Sequence, residues 1–213
     1  MSFNKETYKE VNSLISDSYP SAKLMIVSKN RSLSSINQAL NEGASLFGEN
    51  KVQEAELKFE GLRRKFPNIE LHLIGPLQTN KVKQAMKVFD VIQSVDREKL
   101  VKEIAKYNLE TTRTKKFYIQ INIGKEDQKS GINPDIARDF YNYSISLDLN
   151  IVGLMCIPPN NQEPGFFFKE MVKLREDINS NLLLSMGMSG DYLPALKNQT
   201  NIIRIGSKFF NEE

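Results

Sequence analysis

The sequence of 213 residues predicts an α/β fold, a single (β/α)₈ TIM barrel with an additional helix at its N-terminus. Eight short apolar segments alternate with segments of helical periodicity, a succession that is typical of a parallel barrel. The turn after the first strand, Ser28-Lys29-Asn30-Arg31, lacks the glycine-rich fingerprint of an open dinucleotide-binding sheet, although an open doubly wound sheet remains an alternative. No linker, repeat or low-complexity segment divides the chain, so we expect one domain over residues 1–213.

The eight predicted strands are short apolar runs bounded by turn residues. The fifth strand illustrates the pattern, because the run from Phe117 to Ile123 is rich in aromatic and β-branched side chains that favour a strand over a helix. Buried strands of this kind are typical of a parallel sheet whose outer face is covered by helices. In chain order, the predicted strands are residues 22–29, 44–48, 69–74, 89–94, 117–123, 151–157, 182–186 and 202–205.

The predicted helices carry apolar residues three or four positions apart, and capping or helix-breaking residues define their ends. The opening helix, residues 4–17, stops near Pro20, and the helix of residues 32–42 ends at Gly43 in the C′ position. A short last helix is predicted at residues 191–198. Between them, the predicted signals are Pro67 as a helix terminator, Thr79 and Asp96 as N-caps, and Asn133-Pro134 as N-cap and first helical residue.

Composition excludes several classes of protein. The hydrophobic fraction of 40% and the charged fraction of 26% are ordinary for a globular domain, and no apolar stretch is long enough to span a membrane. We expect no signal peptide, and the single cysteine, Cys156, favours a cytoplasmic protein without an intrachain disulfide. The net charge of +3 is dispersed along the chain, which argues against nucleic-acid binding. The single histidine, His72, excludes two-histidine zinc motifs, and we expect it to be hydrogen-bonded in the core.

Two turns near the end of the chain have the composition of a phosphate site. TIM barrels commonly bind phosphate in the loops that follow strands seven and eight. After the seventh strand, Gly187-Met188-Ser189-Gly190 offers a hydroxyl and close backbone approach at the start of a helix, where the dipole favours an anion. After the eighth strand, Gly206-Ser207 offers consecutive N–H groups and a second hydroxyl. The alternative is that these residues only form turns and caps, as glycine and serine often do.

Lys29 is the candidate nucleophile. It closes the apolar first strand, and the C-terminal ends of barrel strands form the functional face. Burial and neighbouring cations there can lower the pKa of a lysine and make its amine nucleophilic, whereas a solvated side chain is the alternative. A lysine amine and a phosphate-binding cradle that face one pocket suggest pyridoxal 5′-phosphate (PLP) held as a Schiff base.

Arg204 is the one charged residue of the apolar eighth strand, Ile202-Ile203-Arg204-Ile205. A guanidinium at a buried position must be paired or hydrogen-bonded, because an unpaired buried charge is very costly. Two interpretations remain open. Arg204 forms either a structural ion pair with a carboxylate of a neighbouring strand or a hydrogen bond to the ring nitrogen of a ligand.

An ordered set of motifs resembles the pyridoxal phosphate homeostasis protein family, which is related in fold to the N-terminal barrel of alanine racemase. These motifs span residues 26 to 207, nearly the whole chain. They are Ile26-Val27-Ser28-Lys29, Phe47-Gly48-Glu49-Asn50 with Val52-Gln53-Glu54, His72-Leu73-Ile74-Gly75-Pro76-Leu77-Gln78 with Asn80-Lys81, Gln120-Ile121-Asn122-Ile123, Lys129-Ser130-Gly131, Gly153-Leu154-Met155 with Ile157-Pro158-Pro159, Ser185-Met186-Gly187-Met188-Ser189, and Arg204-Ile205-Gly206-Ser207.

The resemblance implies a set of roles for the candidate residues. Lys29 would form the Schiff base with PLP, and Arg204 would face the pyridine nitrogen. Ser189 and the backbone of Gly206-Ser207 would bind the phosphate, with Asn50 as a further pocket residue. The family implies a monomer that carries PLP, keeps vitamin B6 and amino-acid pools in balance, and has no established turnover reaction. Recipients of the cofactor would be PLP-dependent apo-enzymes.

A small PLP-dependent amino-acid racemase is the main alternative function. An arginine cannot protonate the pyridine nitrogen, so the ring would be a weak electron sink, which argues against carbanion chemistry. Alanine racemase takes its second acid–base group from another domain, and we expect none here, because the sequence ends at Glu213. A barrel isomerase or lyase for phosphorylated sugars would use the phosphate site without the cofactor. The chain departs from the family pattern at Asn211, where glycine is usual, and at Gln199-Thr200-Asn201, where Gly-Ser-Thr is usual.

Overall fold

The computed structural model describes residues 2–108 and 112–210, and within them eight parallel strands close a barrel. The strands pair in sequence order, and β8 pairs with β1 to complete the ring. The strands are β1 (Lys23–Val27), β2 (Leu46–Glu49), β3 (Glu70–Leu73), β4 (Val91–Val95), β5 (Lys116–Ile121), β6 (Ile151–Cys156), β7 (Leu183–Ser185) and β8 (Ile202–Ile205). The predicted TIM-barrel fold is confirmed.

Helices surround the barrel, and each helix after the first joins two consecutive strands. Short 3₁₀ turns at Thr79–Lys81 and Pro134–Ile136 lead into two of them. The helices are α1 (Lys5–Ser18), α2 (Leu33–Asn41), α3 (Val52–Lys65), α4 (Val82–Val88), α5 (Glu98–Tyr107), α6 (Ala137–Ser146), α7 (Pro164–Ile178) and α8 (Tyr192–Lys197). No helix among the described residues is long and apolar enough to cross a membrane.

Two layers of apolar side chains hold this architecture together. A large buried cluster lies between the strands and the helices, because alternate residues of each strand point outward to the helical layer. A second cluster fills the N-terminal part of the barrel interior with inward-pointing side chains. It consists of Met25, Leu46, Val91, Tyr118, Met155 and Ile202.

The structure confirms two predicted helix signals and contradicts two others. Gly43 follows α2 with φ +92°, and the Asn133 side chain accepts a hydrogen bond from the Asp135 N–H. The predicted cap Thr79 is wrong, because this residue lies inside the 3₁₀ turn that precedes α4. The predicted cap Asp96 is also wrong: Arg97 occupies the N-cap of α5, and the Asp96 carboxylate pairs with the Arg97 guanidinium instead.

The N-terminal helix covers the junction where the barrel closes. No helix follows β8 in the part of the chain that the structure describes, so the eighth strand–helix step that the sequence suggested is not seen there. Instead, the Asn4 N–H donates to the Phe209 carbonyl at 2.8 Å, and Phe3 bridges to Phe210. Four aromatic rings meet at this junction, those of Phe3, Tyr8, Phe209 and Phe210. The predicted extra helix therefore joins the two ends of the chain. Asn211 lies outside the described residues.

Candidate functional site

The structure places all six candidate residues at the C-terminal end of the barrel. Lys29 and Asn50 follow β1 and β2, Ser189 follows β7, Arg204 lies in β8, and Gly206-Ser207 comes directly after β8. Because the barrel is closed, β1 has both β2 and β8 as neighbours. The start and the end of the chain thus contribute to one site, at the face where TIM-barrel enzymes carry their chemistry.

Strand register places Lys29 between the other candidates. Ile26 pairs with Ile205, so one further step brings Val27 beside Gly206. That approach is close, because a Cβ on Gly206 would lie 3.0 Å from the Val27 carbonyl oxygen. On the other side, Val27 pairs with Gly48, and the Ser28 N–H donates to the Gly48 carbonyl at 3.0 Å, so the chain stays beside β2 up to the residue before Lys29. The turn that carries Lys29 therefore lies on the same rim as the turn after β8.

Lys29 is exposed, in contrast to the burial that the sequence suggested. The first strand ends at Val27 rather than at residue 29, so Lys29 lies in the turn that follows. The neighbouring Ser28 is fully buried, and Asn30 adopts the left-handed conformation with φ +56°. The strand thus ends before Lys29, and the turn leaves this residue exposed.

The two predicted phosphate turns meet in space. The Ser207 hydroxyl lies 3.1 Å from the Ser189 hydroxyl, although 18 residues separate them. The backbone N–H groups of Ser189, Gly190 and Ser207 donate to no acceptor among the residues that the structure describes. Two hydroxyls and unused N–H groups, converging from adjacent loops, are the kind of donor set that binds a phosphate. The arrangement fits the phosphate group of a cofactor.

Arg204 is hydrogen-bonded inside the barrel without a carboxylate partner. Its side chain is 3% exposed; Nη1 donates to the Ser185 hydroxyl and Nη2 to the Cys156 carbonyl, both at 2.8 Å. No salt bridge to Arg204 occurs among the described residues, so the structural ion pair considered from the sequence is not found. Burial lowers the pKa of the guanidinium, which nevertheless stays a cation because arginine pKa values are so high. The remaining N–H groups leave donors for the ring nitrogen of a ligand.

Sequence reasoning missed the polar residues that support Arg204. The Ser185 hydroxyl donates to Gln93 Oε1 at 2.7 Å, and Gln93 Nε2 lies 2.7 Å from His72 Nδ1. His72 Nε2 in turn lies 3.0 Å from the Glu70 carboxylate. His72 is therefore a hydrogen-bonded core residue, as predicted, and burial lowers its pKa despite the Glu70 contact. A signal for this network exists in the sequence, because Gln93 and Ser185 are polar residues within apolar strands.

Cavities open at both ends of the barrel. A cavity of about 300 Å³ lies at the C-terminal mouth beside Asn50, with Ile74, Pro76, Gln120 and Ser130 in its walls. A cavity of about 190 Å³ lies at the opposite end, among Lys23, Glu70, Lys116 and Tyr118. Conserved chemistry in barrels of this fold sits at the C-terminal face, so the first cavity adjoins the candidate site. Among the described residues, no group of three or more His, Cys, Asp or Glu side chains could hold a metal ion.

Comparison with known sequences matches the chain to one family model and to relatives that share one name. The family model described as alanine racemase, N-terminal domain, matches residues 5–212. The pyridoxal phosphate homeostasis protein of Aquifex aeolicus (strain VF5) is 36% identical over 200 residues, which cover 90% of this chain and 87% of that protein. The protein of the same name from Haemophilus influenzae is 35% identical over 198 residues, which cover 88% of this chain and 84% of that protein.

Solved structures show the same relationship. PipY of Synechococcus elongatus PCC7942, solved with PLP bound, has a TM-score of 0.83 and 32% identity, and the match covers 96% of this chain and 100% of PipY. Alanine racemase from Bacillus anthracis has a TM-score of 0.72 at 16% identity and is matched over 55% of its own length, which shows a shared fold alone. The chain therefore belongs to the pyridoxal phosphate homeostasis protein family, whose barrel is that of the alanine racemase N-terminal domain.

Proposed function

We propose that this protein binds PLP covalently through Lys29 and serves in intracellular PLP homeostasis. The observation that carries the proposal is the contact of Ser189 with Ser207, 3.1 Å apart, between the loops after β7 and β8; β8 in turn pairs with β1, the strand that precedes Lys29. A phosphate held by these two loops would bring an attached aldehyde to the rim where the lysine amine lies. The PLP bound to PipY, 32% identical over almost the whole chain, supports this choice of ligand.

Lys29 supplies the amine of the covalent link. With PLP in the site, the deprotonated Lys29 Nζ would be the nucleophile that condenses with its aldehyde and releases water, while the loops after β7 and β8 would hold its phosphate. No oxidant or second substrate is needed, and hydrolysis reverses the step. Reversibility suits a protein that takes up the cofactor and gives it back. PLP itself supplies an electron sink for carbanions when it is bound to an enzyme.

Arg204 at the ring nitrogen would leave bound PLP with little reactivity, which suits storage of the cofactor rather than turnover. Its guanidinium is fixed by Ser185 and by the Cys156 carbonyl, with spare N–H donors for a pyridine nitrogen. A permanently protonated arginine donates a hydrogen bond but does not transfer a proton, so the ring gains little electron-withdrawing power. This arrangement favours a carrier over a racemase. We further propose a cytoplasmic monomer whose recipients are PLP-dependent apo-enzymes.

Absorption spectroscopy tests the proposal. We expect the purified protein, mixed with PLP, to develop the yellow absorption band of a protonated Schiff base, and borohydride to fix the label on the peptide that contains Lys29. Lys29→Ala should abolish the fixed label, while the control Lys83→Ala, an exposed lysine of α4, should retain it. A label on another lysine would refute the role of Lys29. Sustained racemisation of a single amino-acid enantiomer by the PLP-loaded protein would refute the carrier role.

A further inference from the structure

A polar cluster on the outer side of the barrel holds the turn that carries Lys29. Lys58 of α3 donates from Nζ to the Ser28 carbonyl at 2.8 Å, immediately before Lys29. The buried Ser28 hydroxyl donates to Glu49 Oε1 at 2.7 Å, which ties the same residue to the end of β2. The peptide on the N-terminal side of the lysine is therefore bound to two neighbouring elements.

The residue after Lys29 is held by the same helix. The Asn30 N–H donates to Glu54 Oε1 at 2.6 Å, and this contact accompanies the left-handed φ of +56° at Asn30. Non-glycine residues adopt that conformation at a cost, so it needs support from its surroundings. Glu54 lies one helical turn before Lys58, and Lys58 Nζ contacts the same Glu54 oxygen at 2.5 Å. One turn of α3 thus reaches both sides of Lys29.

The cluster is not a simple ion pair, because its charges are unbalanced. One ammonium group serves two carboxylates, since Lys58 Nζ also lies 3.1 Å from the fully buried Glu49. The Glu49 Oε2 atom has no hydrogen-bond partner within the described part of the chain. Burial raises the pKa of Glu49, and the Ser28 and Lys58 contacts offset this only in part. For Glu54, burial acts in the same direction, but the Lys58 and Asn30 contacts prevail and lower its pKa.

Buried ion pairs often contribute little net stability, because removing both charges from water is costly. A cluster with an unsatisfied carboxylate oxygen is especially poor as a stabilising device. Its contacts instead converge on the two residues that flank Lys29. A role in holding the lysine turn in one backbone conformation explains why these charges are buried despite the cost of removing them from water.

We propose that Lys58, acting with Glu54 and Glu49, is a positioning residue that fixes the turn of residues 28–30 so that the Lys29 amine is presented to its ligand. The inference rests on the proposed attachment of PLP to Lys29. Holding a reacting group in place before the ligand arrives removes an entropic cost from the reaction. Because Lys58 Nζ contacts the Ser28 carbonyl and the carboxylates of Glu49 and Glu54, its role is carried through the backbone of the turn rather than through contact with the ligand.

The test compares Lys58→Met, which keeps the length of the side chain without its charge, with Lys65→Met on an exposed position of the same helix. In ligand-free protein, we expect faster amide hydrogen exchange at residues 28–31 in Lys58→Met alone. For PLP, we expect its dissociation constant to rise by about tenfold in Lys58→Met and to stay unchanged in Lys65→Met. Lys58→Arg, which can still donate to the Ser28 carbonyl, should recover most of the affinity.

The results separate this inference from the proposed function. If the unmodified protein acquires no PLP on Lys29, the proposed function fails, while the exchange measurement still reports whether Lys58 orders the turn. If PLP attaches to Lys29 with the same dissociation constant in the unmodified protein and in Lys58→Met, and residues 28–31 exchange equally, the positioning role is overturned. A lower melting temperature with unchanged PLP affinity would also overturn it, since that is a purely structural effect.

A second variant covers the case in which Lys58→Met fails to fold. Glu54→Ala removes the acceptor of the Asn30 N–H at a position whose side chain is 20% exposed, where truncation is better tolerated. We expect the same direction of change in exchange and in PLP affinity. Unchanged values in folded Glu54→Ala would contradict the proposal independently of Lys58.

Discussion

Polar side chains inside the barrel hold the Arg204 guanidinium in one orientation. Arg204 receives its geometry from Ser185, and Ser185 is bound to Gln93, which contacts His72. Each of these side chains has only one or two partners, and all of them lie in the low-dielectric interior. A change at one member therefore leaves a buried partner unsatisfied and disturbs the Arg204 guanidinium inside the barrel.

His72 makes the stability of the protein depend on pH in a defined window. Burial lowers its pKa, so the folded state favours the neutral imidazole, with Glu70 and Asp90 acting against this shift and Lys116 with it. Stability from this group is fully present above its unfolded pKa of about 6.5 and is lost as the pH falls below that value. We expect the free energy of unfolding to fall more between pH 7 and pH 5.5 in the natural protein than in His72→Gln. Urea unfolding at both pH values measures the difference.

His72 is the only histidine of the chain, so no other imidazole titrates in the comparison. Glu49 has a raised pKa and contributes with the opposite sign, but it is present in both proteins and cancels in their difference. An equal loss of stability in the two proteins would show that His72 does not titrate differently in the folded and unfolded states.

At the scale of elements, the loop between β7 and α8 depends on the backbone of Gly187. This residue has φ +96°, a conformation that side chains rarely adopt, and a Cβ there would lie 2.5 Å from the Ala195 Cβ in α8. The loop continues into Ser189, which meets Ser207 of the next loop. The packing of α8 against this loop thus determines the position of the Ser189 hydroxyl, which we propose binds the phosphate.

We expect Gly187→Ala to destabilise the protein by about 1–3 kcal/mol, because the substitution combines backbone strain with overpacking against α8. It should also weaken PLP binding, since Ser189 must shift. Urea unfolding and PLP titration measure the two effects. Gly61→Ala is the matched control: Gly61 lies in α3 with nothing near its Cβ position, so alanine should stabilise by about 0.5–1 kcal/mol. Equal behaviour of the two variants would contradict the argument.

At the scale of the whole molecule, the two ends of the chain close the barrel next to the site. Phe210 packs on Phe3 with ring centroids 5.6 Å apart, and the Arg31 guanidinium lies 5.2 Å from the Phe210 ring centroid. Arg31 belongs to the segment that follows Lys29. The aromatic junction between the chain ends therefore contacts the segment that follows Lys29, in addition to the contacts that α3 makes with the lysine turn.

We expect Phe210→Ala to cost about 3–5 kcal/mol of unfolding free energy, because the ring is 1% exposed and its removal leaves a cavity. The loss should be accompanied by faster amide exchange at residues 28–31. Phe166→Ala provides the comparison, since that ring is 61% exposed and its truncation should cost less than about 1 kcal/mol. Urea unfolding of both variants tests the expectation. Comparable losses of unfolding free energy would show that the aromatic junction contributes no more to stability than an exposed ring does.

Much of the fold could be predicted because its signals are local. Strand order, the positions of the eight strands and the end of α2 at Gly43 follow from the alternation of apolar runs with turn residues. Two of the predictions that failed depend on contacts and turns that form only in the folded chain. Asp96 was available to cap α5 but pairs with Arg97, and the first strand stops before Lys29 because Asn30 turns the chain. Such choices depend on which neighbour is within reach after folding.

The sequence by itself determined the barrel and the residues that gather at its C-terminal rim, since hydrophobic period and turn composition act over a few positions. Only the tertiary structure decided which side chains meet. Ser189 contacts Ser207, Ser185 contacts Gln93 across 92 positions, and Lys58 reaches the carbonyl beside Lys29 across 30. These contacts follow from strand register, barrel closure and side-chain rotamers. They therefore cannot be predicted from the periodicity of the sequence.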